Sequence, residues 1–193
     1  ATGDAHKVII FGEIVNMSRI ESLRKEMAGA KLDALLVTDP INVSYLTGFT
    51  GNESALLLTT DTGTFITDSR FAEQVKQEVS GFAVQLHTAG LLPEAGKLAT
   101  AAGIKMLGFE ADTMTYSDYS VLKRSFAGQL QPASDFVEHI REVKDDDELM
   151  LIERAIEIAE AGYDHVIKTI KAGMTELAVA TDLDFFMRGL GAS

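Results

Sequence analysis

Asp33-Ala-Leu-Leu-Val-Thr-Asp-Pro-Ile-Asn42 and, a short loop later, Ser54-Ala-Leu-Leu-Leu-Thr-Thr-Asp-Thr-Gly-Thr-Phe-Ile-Thr67 carry three apolar runs separated by turn chemistry. Runs of four to six residues that are continuously apolar, rather than alternating, read as strands covered on both faces. Asp39-Pro40-Ile41-Asn42 predicts a turn, and the chain then loops through Gly48-Phe-Thr-Gly51. Asp61-Thr62-Gly63 between the second and third runs predicts an antiparallel hairpin, with Gly63 supplying positive φ.

Working outward, Ile20, Leu23, Met27 and Ala30 recur at helical spacing before the first run. After the third run, a helix over Phe71–Val79, a strand over Phe82–His87 and a helix over Leu92–Ala102 follow. A strand over Lys105–Glu110, a helix over Thr115–Phe126, a strand over Gln129–Ala133 and a connecting helix over Ser134–Arg141 complete the alternation. This order predicts an α/β fold, a mixed β-sheet flanked by helices, ending near residue 140. Lys144–Asp147 is the one stretch that reads as a boundary.

Beyond it, Leu149, Ile152, Ile156, Ala159, Tyr163, Val166 and Ile170 make the stripe of a long amphipathic helix. Asp145 and Glu148 fit a capping box at its start, and Gly173 follows its end. Thr175 caps a second pattern of Leu177, Ala180, Leu183, Phe186 or Met187, and Leu190. At about 1.5–3 kcal/mol per large apolar side chain, the two stripes represent on the order of 10 kcal/mol of burial that needs a partner. A helical hairpin, a coiled-coil dimer or a sheet further along a longer parent would each supply one. The opposite segment, Ala1–Asn16, reads as an extension or tag ahead of Met17, with an added native strand as the rival.

Seventeen basic against 29 acidic residues, a net charge of −12, disfavour a nucleic-acid partner. The absence of cysteine removes disulfides, thiolate zinc sites and thiol nucleophiles. No apolar run approaches the 18 or so residues that span a bilayer, and the expectation is a cytoplasmic protein.

Several segments together resemble the prolidase, aminopeptidase P and creatinase family of metallopeptidases: Thr38-Asp-Pro-Ile-Asn-Val-Ser-Tyr-Leu-Thr-Gly-Phe-Thr-Gly51, Thr67-Asp-Ser-Arg-Phe-Ala-Glu-Gln74, Gly108-Phe-Glu110 and Arg141-Glu-Val-Lys144. Lys171-Ala-Gly-Met-Thr-Glu176 and Met187-Arg-Gly-Leu-Gly-Ala192 resemble the first helices of that family's catalytic domain. The resemblance implies a creatinase-type N-terminal α/β domain over residues 17–142 and the helical start of an incomplete pita-bread domain over 143–193. It implies a parent Xaa-Pro dipeptidase or aminopeptidase in which two Asp, one His and two Glu hold two divalent metal ions, Mn, Co or Zn. None of those ligands falls within this sequence, so no catalytic, cofactor or metal residue is expected here. The family also implies a homodimer acting on proline-containing peptides, with N-terminal loops bordering a neighbour's cleft. Tyr45, Phe49 and Arg70 are then the candidates for substrate-side or interface contacts, although Arg70 also reads as a partner of Asp68 or Glu73. A free-standing protein-binding module derived from such a peptidase is the alternative.

Other features read as structural. Asp135 and His139 share a helix face without a third ligand. Glu157, Glu160, Asp164 and His165 lie largely off the apolar stripe, as a solvated face would. Gly48-Phe-Thr-Gly51 lacks the Lys and hydroxyl of a P-loop, and no G-x-S-x-G elbow occurs to activate a serine.

Overall fold

The computed structural model describes residues 18–192; the expectations for Ala1–Asn16 lie outside the described residues. The chain divides into two compact units, one ending at Glu142 and the other starting at Val143.

In the first unit the three decisive runs form β1 (Ala34–Val37), β2 (Ser54–Thr59) and β3 (Gly63–Thr67). They join β4 (Ala83–Leu86), β5 (Met106–Glu110) and β6 (Gln129–Ala133) in one sheet of order β4-β3-β2-β1-β5-β6. β2 is antiparallel to β1 and β3, while β1–β5, β5–β6 and β3–β4 are parallel, which is the mixed α/β architecture the sequence predicts.

Alternate residues of the central strands feed two cores. Leu35, Val37, Leu56, Leu58 and Phe65 pack under the first helix, α1 (residues 18–29), which contributes Leu23 and Met27. Leu36, Leu57, Ile66 and Leu107 face α4 (Leu91–Ala101) and α5 (Tyr116–Ser125). The continuous apolar character of the runs follows from this double coverage.

Two local readings are corrected. Pro40–Thr47 is not a turn and loop but a helix, α2, capped by Asp39, whose Oδ1 accepts from the N–H groups of Ile41 (2.9 Å) and Asn42 (3.1 Å). Proline fits the first helical position because its missing N–H would have no intrahelical partner. Gly48, at φ 79°, ends the helix by donating to the Ser44 carbonyl at 2.7 Å. Gly63, in turn, is not among the positive-φ residues; a Cβ there would meet the Phe82 ring at 2.6 Å, so it is close approach that requires glycine.

After a single 3-10 turn (Ser69–Phe71), α3 (Ala72–Glu78) leads to β4, and α6 (Phe136–Glu142) closes the first unit. The second unit holds α7 (Asp146–Thr169), with its Asp145–Glu148 capping box formed, and α8 (Glu176–Gly189). They meet at Gly162, where an added Cβ would lie 3.0 Å from both Leu183 and Met187. Leu151 (72% exposed) and Phe185 (81%) remain in solvent, with Met150, Ile156, Ile167 and Leu177 also exposed. Among the described residues no helix is long and apolar enough to cross a membrane.

Candidate functional site

The sheet order brings the carboxyl ends of β1, β3, β4, β5 and β6 and the start of β2 to one edge. Chemistry-bearing side chains far apart in sequence collect there. Glu110, the last residue of β5, is 7% exposed, and its Oε2 accepts from the backbone N–H groups of Thr38 and, at 2.7 Å, Asp39. Its Oε1 accepts from Asn42 Nδ2 at 2.8 Å. The same Asn42 amide donates to Glu138 Oε1 (2.6 Å), and its Oδ1 accepts from Arg141 Nη1 (3.0 Å). One buried asparagine therefore ties β5, α2 and α6 together, with both hydrogens of its amide donated and its oxygen accepting once. Burial pushes the Glu110 carboxyl above the usual range; the donors from Asn42, Asp39 and Thr38 pull it back, and the charge of Asp39 adds to the rise.

Beside this network is a cleft of about 500 Å³ lined by the start of α2, the N-terminal turn of α4 and the segment from Thr113 into α5. Leu92, Pro93, Met114 and Val121 give it apolar walls, and Asp39, Glu53 and Asp118 bring carboxyl groups to it.

The three candidates from the sequence do not converge. Tyr45 is half-buried in α2; the Arg19 guanidinium lies 4.0 Å from its ring centroid and donates to its carbonyl, and the Tyr45 hydroxyl points to the Ile140 carbonyl at 3.5 Å. Phe49 is fully buried, edge-on to Phe65 and Phe71 at centroid distances of 4.9 and 5.6 Å. It therefore presents no surface to a substrate or neighbour, and that expectation is corrected: the ring fills the core where β2, β3 and the start of α3 meet. Arg70 is exposed and donates through Nε (2.9 Å) and Nη2 to Asp68 Oδ2, with Glu53 3.9 Å away. This hydrogen bond holds Asp68 below the usual carboxylate range.

His87, which the sequence did not single out, directly follows β4, with both ring nitrogens buried and without a hydrogen-bond partner among the described residues. Asp135 and His139 are linked only through the backbone, His139 N–H to Asp135 O at 2.9 Å. His165, on α7, pairs with Asp182 Oδ2 at 2.8 Å and stacks on Phe186. Among the described residues no group of three or more His, Asp or Glu side chains is arranged to hold a metal.

Residues 19–143 match the family model of the Creatinase/Prolidase N-terminal domain. The chain belongs to that family. Of curated proteins, the peptidase YqhT of Bacillus subtilis (strain 168) is 36% identical over 175 residues, 90% of this chain and 50% of the relative. An Xaa-Pro dipeptidase structure from Bacillus anthracis superposes with a TM-score of 0.87 at 35% identity, over 92% of this chain and 50% of that one. The separately solved N-terminal domain of the cytoplasmic peptidase PepQ from Mycobacterium tuberculosis H37Rv aligns with 63% of this chain and 97% of its own, with a TM-score of 0.61 and 31% identity. The creatinase/prolidase N-terminal domain thus accounts for the first unit, and the chain spans about half the length of the curated relatives it matches.

Proposed function

We propose that this chain is the N-terminal portion of a metal-dependent Xaa-Pro dipeptidase or aminopeptidase, not catalytic by itself. In this reading the other half of the polypeptide supplies the residues that hold two divalent ions, and the N-terminal domain serves subunit association and access to the active site of a cytoplasmic dimer. The observation that carries it is the superposition on an Xaa-Pro dipeptidase with a TM-score of 0.87, over 92% of this chain and 50% of that enzyme. Two hydrolytic metals need several carboxylates and imidazoles converging on one point with an open position for water, so the chemistry is assigned to the other half. Arg70 and Tyr45 are the residues left to border a neighbouring cleft.

The test is hydrolysis of Leu-Pro and Leu-Pro-Pro with added Mn²⁺, by this 193-residue chain and by the same chain continued through the remaining half. Turnover only by the longer protein is expected. Turnover by the 193-residue chain overturns the assignment, as does an inactive longer protein that nevertheless binds two metal ions.

The exposed apolar side chains of α7 and α8 also suit the second reading, a free-standing module that holds a protein partner. The intact mass of the natural gene product separates the two: about twice that of this chain supports the peptidase, and an equal mass supports the module.

A further inference from the structure

The Glu110 carboxylate is surrounded by donors. Its Oε2 accepts from the backbone N–H groups of Thr38 and Asp39 and lies 3.3 Å from the Thr38 hydroxyl, while its Oε1 accepts from Asn42 Nδ2. Such a set of partners favours the charged form, yet Glu110 and Asn42 are both buried, and burial favours the neutral one. Which form prevails, and what a change of form does, depends on which partners can reverse their role.

A backbone N–H only donates, so the two at Oε2 keep that oxygen an acceptor. Asn42 carries donor and acceptor on one planar amide, and half a turn about its terminal torsion exchanges them. A proton taken up from solvent is therefore accommodated at Oε1, with the Asn42 oxygen turned to accept it. The turn is felt on α6. With Glu110 charged, Asn42 Oδ1 accepts from Arg141 Nη1 at 3.0 Å and Nδ2 donates to Glu138 Oε1 at 2.6 Å. Reversal sets the Asn42 NH₂ group against the Arg141 guanidinium, donor to donor, and the Asn42 oxygen against the Glu138 carboxylate, acceptor to acceptor. Glu138 and Arg141 are three residues apart on one helix, a spacing at which opposite charges meet, so each is the partner the other then lacks.

We propose that Glu110, Asn42 and Arg141 form a proton-operated switch, in which protonation of Glu110 at Oε1 turns the Asn42 amide over and hands Arg141 from Asn42 to Glu138. Helix α6 is the last element of the first unit, and the second begins at Val143, so the switch acts on the segment by which the chain leaves the first unit. The charged groups around the network are Asp39, from the cap of α2, and Glu138 and Arg141, from α6. Burial, aided by the charge of Asp39, displaces the Glu110 pKa upward, which brings the switch closer to neutrality than an exposed glutamate would be. The inference does not depend on the peptidase reading, and its test involves no peptide hydrolysis.

The test is an NMR pH titration of the 193-residue chain labelled with ¹⁵N and ¹³C, following the Glu110 carboxyl carbon, the Asn42 side-chain NH₂ group and the Arg141 Nε–H. All three are expected to shift together, with one midpoint above the ordinary glutamate value. Glu110→Gln presents a permanent NH₂ group to Asn42 and is expected to hold the Asn42 and Arg141 signals at their acid positions at every pH. Because that variant also removes a buried acceptor, Glu138→Gln and His139→Gln give readings that leave Glu110 in place. In both, the Glu110 and Asn42 signals are expected still to move together, which separates the switch from titration of Glu138 or of the exposed His139 on the same helix. The proposal is overturned if Glu110 titrates while Asn42 and Arg141 stay still, if the Asn42 shift vanishes in either of those two variants, or if Glu110 takes up no proton before the fold is lost.

Discussion

Replacing Glu110 by glutamine leaves buried donors at Thr38, Asp39 and Asn42 with one acceptor oxygen where the carboxylate had two. The expected cost is about 1–3 kcal/mol in urea unfolding. The pH dependence follows from burial, which raises the native pKa of Glu110. Above about pH 4.3 the native state therefore holds more proton at this position than the unfolded chain does, and the contribution of Glu110 to stability is lost as pH rises through its native value. The deficit of Glu110→Gln should accordingly shrink as pH rises above the ordinary glutamate value; a constant or growing deficit would contradict the assignment. Glu78 has the opposite sign: burial alone would raise its pKa, but donors from Thr50 and Gln74 outweigh it and the net shift is downward. None of the Glu110 network was legible in the sequence. Asn42 and Glu110 are far apart along the chain, and only the parallel β1–β5 pairing, which skips three intervening strands, makes them neighbours. The available signal was a glutamate directly ending an apolar strand, where an ionisable group demands partners. Phe49 was misread for a related reason, since a phenylalanine between two loop glycines gives no local sign that two more phenylalanines close over it.

At the scale of elements, the strands and long helices were legible because each carries a run or a stripe that one periodicity explains. Helix α2 was not, because its eight residues are too few to establish a stripe, and Asp39-Pro40 opens turns and helices alike. Asp39→Ala removes the cap for two N–H groups and should destabilise the first unit by about 1 kcal/mol, with Asp39→Ser recovering most of it in thermal unfolding. The contact of α4 with α5 is set by Gly96, where a Cβ would meet the Ser125 backbone carbon at 2.9 Å. Alanine there gains about 1 kcal/mol of intrinsic helix propensity, yet the two helices must separate to admit it. Gly96→Ala is therefore expected to be destabilising, by about 1–3 kcal/mol, and a stabilised variant in calorimetry would show that α5 yields readily.

At the scale of the whole molecule, the two units differ in how much of their apolar surface they cover. The central strands of the first are buried on both faces, whereas in α7 only Ile158 and Gly162 are buried and in α8 no residue is. Leu151→Glu with Phe185→Glu should leave stability within about 0.5 kcal/mol, because neither side chain is covered. The same pair should lower the fluorescence of a bound hydrophobic dye, and a large loss of stability would show that these side chains are packed in solution. The ends of the sheet differ as well. Strand β6 carries Pro132, which removes a hydrogen-bond donor from that rim, whereas β4 has neither proline nor charge and leaves Val84 and Leu86 partly exposed. Should two copies ever join by strand addition, β4 against β4, both receptive rims would be consumed in that one event. Each outer rim of the joined sheet would then be a proline-bearing β6, so growth by this route terminates at a pair and cannot run on into a fibre.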